Sequence, residues 1–176
     1  MKKYTIPSFG VLTAFLFFSL SLFSQDTYIR NESVDIKKYV FNLQLNDTTN
    51  SIEGEAEIHV DFENEPIPFN LDLIEFTGNY GMRISDVSEA EKSIDYVFEN
   101  NKIKIQPTKY SPLSQVYKVK YHGIPERGLV IDTTKFGKRS FFGDNWPNLA
   151  RHWLPSVDYP YDKAAIEFRI TAPRPL

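Results

Sequence analysis

The chain has 176 residues, of which 41% are hydrophobic and 15% aromatic, enough apolar material for one ordinary core and not for two. Its formal net charge of -3 is spread along the chain without long runs of either sign, which excludes the basic footprint of a nucleic-acid-binding protein. Cysteine is absent, so neither a disulfide framework nor a lipid-modified N-terminal cysteine is available, and the fold must rest on its core alone.

The first residues read as an address. Lys2 and Lys3 form a positive start, Val11 to Leu22 is almost wholly apolar, and Ser21 to Gln25 supplies small residues for a signal peptidase. A signal peptide over 1–24 is therefore expected, and with it an exported protein, periplasmic or secreted. The apolar run falls short of the roughly 20 residues a bilayer helix needs, so no transmembrane helix is expected in the mature chain. Cleavage after Ser24 removes two lysines and leaves a mildly acidic chain. Residues 25–34 then form a short N-terminal extension, and residues 35–176 the domain.

From Asp35 onward apolar and polar residues alternate, the period of a half-buried strand. Tyr39, Phe41, Leu43 and Leu45 share one face. After the turn-like Asn46-Asp47-Thr48-Thr49-Asn50, Ile52, Ala56, Ile58, Val60 and Phe62 share another, and the two runs predict a long antiparallel hairpin. The opposite face of the second strand carries Glu53, Glu55, Glu57, His59 and Asp61. Alternate strand positions lie well over about 6 Å apart, so this row reads as a solvated sheet face and not as a calcium or acid-base site. Further strands are expected at Phe69 to Ile74, Met82 to Val87, Ile94 to Phe98, Ile103 to Ile105, Val116 to Tyr121, Leu129 to Ile131 and Ala165 to Thr171, with turns such as Glu99-Asn100-Asn101 between them. The fold class is all-β, an antiparallel sandwich or strongly twisted open sheet.

Chemistry is harder to find. The histidines His59, His122 and His152 sit on three separate segments, and no His-Glu-x-x-His motif places two of them on one helix face for zinc. No serine occupies a Gly-x-Ser-x-Gly elbow. Gly137-Lys138-Arg139-Ser140 lacks the upstream glycine of a phosphate-binding loop and reads as a polar turn. Asn31-Glu32-Ser33 and Asn46-Asp47-Thr48 match the glycosylation pattern, a three-residue coincidence that marks exposure only.

The most informative stretch runs from Asn145 to Ala164. Its prolines at 147, 155 and 160 restrict themselves and their predecessors to extended conformations, which predicts a rigid, non-helical path. Arg151 and Asp158 are natural partners across it, as a bidentate pair satisfying donors inside an aromatic-rich loop.

At these residues the sequence resembles the N-terminal domain of the zinc aminopeptidases typified by aminopeptidase N and leukotriene hydrolase. The family order of Ala-Arg, Pro, Asp-x-Pro, Lys-Ala and a strand closing on Ala-Pro is matched by Ala150-Arg151, Pro155, Asp158-Tyr159-Pro160, Lys163-Ala164 and Ala172-Pro173. Upstream, Tyr39 to Leu45, Ile52-Glu53-Gly54, Leu71-Asp72-Leu73, Tyr121-His122-Gly123 and Gly128-Leu129 also resemble family landmarks, so the likeness runs from Asp35 to Pro173.

The resemblance implies a saddle-like β-domain, incomplete at its C-terminal edge, that packs over a thermolysin-like catalytic domain in the same or a separate chain. Zinc, its ligands and the general base would belong to that domain, where zinc-activated water attacks the first peptide bond of a peptide substrate. This chain would hold no cofactor or catalytic residue of its own, and Arg151, Pro155, Asp158, Pro160 and Lys163 would be structural. The family's amine-holding Glu or Gln falls here on Trp146, which offers only a cation-π face. Asn145 and Trp146 are accordingly the substrate-contact candidates. A second reading is a free-standing module that binds peptide or glycan through Trp146, Trp153, Tyr159 and Tyr161.

Overall fold

Alternation turns into strands wherever it was read from Asp35 onward. The computed structural model describes residues 28 and 30–172, so the segment 1–24 expected to be a signal peptide, part of the expected extension and Pro173 lie outside the described residues. In chain order the strands are β1 (Val34–Gln44), β2 (Ile52–Phe62), β3 (Phe69–Asp72), β4 (Gly81–Glu89), β5 (Lys92–Ser93), β6 (Tyr96–Glu99), β7 (Lys102–Ile105), β8 (Ser114–Ile124), β9 (Leu129–Thr133), β10 (Arg139–Gly143) and β11 (Ala165–Thr171). A single 3-10 turn, Ala150–His152, interrupts the long loop between β10 and β11.

The large sheet has the order β11-β1-β2-β8-β4-β5, and a three-stranded sheet, β3-β7-β6, accompanies it, while β9 and β10 form a separate hairpin. Tyr39, Phe41 and Leu43 of β1, Ile52, Ala56, Ile58, Val60 and Phe62 of β2, and Tyr117, Val119 and Tyr121 of β8 are all buried and belong to one cluster with Phe69, Leu71, Ile103 and Ile105 of the smaller sheet. Each such side chain stabilises the fold by about 1.5–3 kcal/mol, so the two sheets hold each other in place by burial. Phe62, Phe69 and Tyr117 meet edge to face at the junction, with ring centroids 5.1 Å to 6.4 Å apart, the geometry favoured by ring quadrupoles.

Two features depart from the expected pattern. Strand β11 runs parallel to β1, which the pattern of one strand cannot reveal because direction is set by the path of the connection. Arg139 and Ser140, expected in a polar turn, instead open β10, paired to Thr133 and Asp132. The turn lies just before them, where Gly137 adopts a positive φ of 77°. The Asn100-Asn101 turn takes φ values of 54° and 59°, the left-handed pair that matches the twist of a two-residue hairpin.

The outer face of the large sheet is a mosaic of charge. Lys120 lies 3.8 Å from Glu55, Arg169 lies 3.9 Å from Glu57 and Lys37 lies 3.9 Å from Asp61. These are half-exposed pairs that contribute little to stability.

One close backbone approach fixes the β4-β8 pairing. A Cβ on Gly123 would stand 2.1 Å from the carbonyl oxygen of Gly81 and 2.9 Å from Cα of Met82. Neither atom can rotate away, so Gly123→Ala is expected to lose about 1–3 kcal/mol in urea unfolding. An unchanged midpoint would mean that β4 and β8 separate easily.

Candidate functional site

The proline- and aromatic-rich loop is anchored through its middle by backbone bonds to the end of β3 and the residues just after it. Asp72 N–H donates to the Ser156 carbonyl at 2.7 Å, Ser156 N–H returns to the Asp72 carbonyl at 3.2 Å, and Ile74 N–H donates to the Arg151 carbonyl at 2.8 Å. The loop is therefore a fixed edge of the β3 layer, as a chain stiffened by prolines can be. Trp153, Leu154, Pro155 and Ser156 are buried under it, whereas Pro160 and Lys163 are exposed.

Charge inside this loop converges on Asp72, whose residue surface is 1% exposed. Its carboxylate accepts from Tyr28 Oη at 2.8 Å, from Lys102 Nζ at 2.6 Å and from the Asp158 amide at 3.1 Å, and Arg151 Nη2 lies 3.8 Å away. Arg151 meets Asp158 in a different form from the bidentate pair expected. Nε and the backbone N–H of Arg151 both donate to Oδ2 of Asp158, at 3.0 Å and 3.1 Å, while Nη2 donates to the Asp158 carbonyl at 3.0 Å. The guanidinium thus spans carboxylate and backbone, and closes the loop into a ring.

Burial, reinforced by the Asp72 charge, pushes the Tyr28 phenol far above its usual range, so it remains a donor. Burial likewise raises Tyr39, whose hydroxyl accepts the Val157 N–H at 2.9 Å. His152 sits 3.7 Å from Glu126, yet desolvation holds its imidazole below the usual value and favours the neutral form.

The two substrate-contact candidates separate. Asn145 Oδ1 accepts the Trp153 indole N–H at 2.9 Å, which helps to hold the loop. Trp146 is 82% exposed, and Trp146 N–H donates to Asp144 Oδ1 at 3.4 Å. Because the Asn145 bond satisfies a buried indole N–H, Asn145→Ala is expected to cost about 1–2 kcal/mol, read as a lower thermal midpoint. No loss would mean that water replaces the amide.

The sequence marks Arg151 and Asp158, but not Asp72 or Tyr28, as polar centres. A signal for Asp72 was present, since it is the lone charge between Leu71 and Leu73 in an apolar run. Tyr28 lies before the strand pattern begins, and nothing local marks it.

Beside this ring, β11 leaves a face open. Its outer edge pairs with no strand among the described residues. By register, Ile166, Phe168 and Ile170 stand beside Tyr39, Phe41 and Leu43, yet they are 60%, 44% and 56% exposed. Phe168 stacks on Trp153 at 6.1 Å and packs on Phe41 at 5.6 Å, so the row is continuous with the core. Among the described residues no three His, Asp or Glu side chains converge as a metal site, and no helix is long and apolar enough to cross a membrane.

No protein-family model matches the sequence, and no curated protein matches it. Solved structures do share the fold. The M1 zinc metallopeptidase from Deinococcus radiodurans superposes with a TM-score of 0.61 at 20% identity, over 82% of this chain and 33% of that one. A two-domain M1 zinc metallopeptidase variant bound to L-arginine gives a TM-score of 0.63 at 22% identity, over 82% of this chain and 34% of that one. Native leukotriene A4 hydrolase from Saccharomyces cerevisiae gives 0.67 at 17% identity, over 81% of this chain and 24% of that one. This chain therefore spans between 24% and 34% of these solved proteins, and the all-β, largely antiparallel fold expected from the resemblance is the fold observed.

Proposed function

We propose that this chain is a non-catalytic scaffold and cleft-wall domain of an exported zinc metalloaminopeptidase, an enzyme that removes N-terminal residues from peptides. The observation that carries the reading is the uncovered β11 row, Ile166, Phe168 and Ile170, set beside the Arg151–Asp158 ring. A row continuous with the core but half in water calls for a covering layer. The shared fold with zinc metallopeptidases, over about a third of their length, supports a catalytic domain as its source.

His59 lies on β2, His122 on β8 and His152 on the 3-10 turn, and among the described residues none of them gathers two further ligands. The metal and the chemistry it supplies would sit in the covering domain. The part of this chain is to fix the wall: the Asp72 network holds the loop, and the loop holds Trp146 outward toward whatever lies across the cleft.

The test is to detect the native protein from its own cells with an antibody against residues 35–163, and to assay it on amino-acid amides. The expected result is a polypeptide several-fold larger than this chain, with hydrolysis lost on chelation and restored by zinc. A native mass equal to this chain without residues 1–24, and no amidase activity in its complexes, would overturn the reading.

A further inference from the structure

Strand β11 offers an edge as well as a face. Its 7 residues, Ala165–Thr171, pair with β1 on one side only among the described residues. The Thr171 carbonyl accepts the Leu45 amide at 2.9 Å, so Thr171 turns its backbone groups toward β1. Backbone direction alternates along a strand, and Ala165, Glu167 and Arg169 therefore face β1 as well. The amides and carbonyls of Ile166, Phe168 and Ile170 point outward, the row of free groups that invites another strand.

This edge fits a copy of itself. Ile166-Glu167-Phe168-Arg169-Ile170 has the same character read from either end, except that its two charges are opposite in sign. Two copies set antiparallel about Phe168 would place Ile166 opposite Ile170, Phe168 opposite Phe168, and Glu167 opposite Arg169 on each side of the axis. The outward residues then face one another, so every free N–H meets a carbonyl. Opposed side chains share a face, which puts the apolar contacts on the side of the exposed row and both ion pairs on the outer side.

Charge selects the register. Outward backbone groups must meet outward ones, so the neighbouring registers move the centre of pairing by one residue. Centred on Glu167, the two strands would set Glu167 against Glu167, and centred on Arg169 they would set Arg169 against Arg169. Pairing about Phe168 avoids both like-charge contacts and uses the whole edge. The charges are already held there: Arg169 Nε donates to Glu167 Oε1 at 2.7 Å, Lys38 Nζ donates to Glu167 Oε2 at 2.6 Å, and Arg169 Nη1 lies 3.9 Å from Glu57. These are partly exposed bonds of small net worth, which the charges of a second copy can join or exchange.

We propose that β11 pairs with β11 of a second copy, antiparallel about a two-fold axis at Phe168, to make a closed dimer with one continuous sheet. A two-fold contact uses the same patch on both copies, so a third copy finds no β11 edge left. The inference goes beyond the scaffold reading and does not compete with it. Pairing occupies the edge, while Ile166, Phe168 and Ile170 of both copies join into a longer apolar stripe whose face remains for a covering layer. The two fail separately, because the register of association is read without activity or native mass.

The experiment is sedimentation velocity of the chain and of two charge variants. In a pair of identical copies, Glu167→Arg sets like charges opposite each other, and so does Arg169→Glu. Each variant alone should dimerise about tenfold more weakly than the native chain, or worse. An equimolar mixture of the two sets a positive edge against a negative one and should recover native association, as should the double swap Glu167→Arg with Arg169→Glu. Amides of Ile166, Phe168 and Ile170 in the native sequence should gain protection from hydrogen exchange as concentration rises. A chain that is monomeric at its highest soluble concentration, a mixture no tighter than its components, or open-ended association without a dimer boundary would overturn the proposal. Slow exchange of the Phe168 amide in the monomer would also overturn it, since the chain itself would then cover the edge. The exchange arm uses the native sequence, so it decides even if a variant does not fold.

Discussion

Asp72→Ala is expected to destabilise the domain by about 3–5 kcal/mol, the loss typical of removing one partner from a buried, hydrogen-bonded charge network. Three donors lose their acceptor at once: the Tyr28 hydroxyl, the Lys102 ammonium and the Asp158 amide. Lys102 is 44% exposed and can turn to water, but Asp158 is held by Arg151 and its amide cannot follow. The cost therefore falls on the loop as well as on global stability. Lys102→Met is expected to cost much less than Asp72→Ala, because it leaves Asp72 with its other partners. Urea unfolding of both variants checks this ordering. If Asp72→Ala lost under 1 kcal/mol, or no more than Lys102→Met, the network would be decoration on a loop held by its backbone bonds to β3.

Strands were legible because burial imposes a period of two, and Tyr39, Phe41, Leu43, Ile58 and Val60 advertise that period within a few residues of one another. The loop was legible in stiffness, through Pro147, Pro155 and Pro160, and in its internal pair, Arg151 with Asp158, seven positions apart. Asp72 gathers Tyr28 from 44 residues upstream and Asp158 from 86 residues downstream, and no local pattern encodes partners at such distances. Strand direction is similarly non-local. The run Ala165 to Thr171 announces a strand, but only the loop's return across β3 delivers it parallel to β1. Asn145 shows the converse. It is a substrate-contact candidate as the neighbour of Trp146, where the resemblance places the amine-holding residue, and its Oδ1 also serves as the acceptor that the buried Trp153 indole N–H needs.

The uncovered row on β11 yields a result whose sign depends on context. In the isolated chain, Ile166, Phe168 and Ile170 present apolar surface next to a strand edge that is unpaired among the described residues, a combination that favours edge-to-edge pairing between copies. The chain is expected to associate in a concentration-dependent way in sedimentation velocity. The double variant Ile166→Lys with Ile170→Lys is expected to shift it to monomer, a change of at least about tenfold in the association constant. Folding stability should change little, since both side chains are more than half exposed, at 60% and 56%. Phe168 is left in place because it stacks on Trp153 and packs on Phe41. In a longer native polypeptide, where a second domain covers the row, the same two lysines would be buried without partners and should lower the unfolding midpoint and the yield of soluble enzyme. A variant that gains solubility in isolation but loses stability in the longer polypeptide identifies the row as an internal interface. If the isolated chain is monomeric at its highest soluble concentration and the lysines are silent in both contexts, the row is ordinary surface and the scaffold reading loses its main structural support.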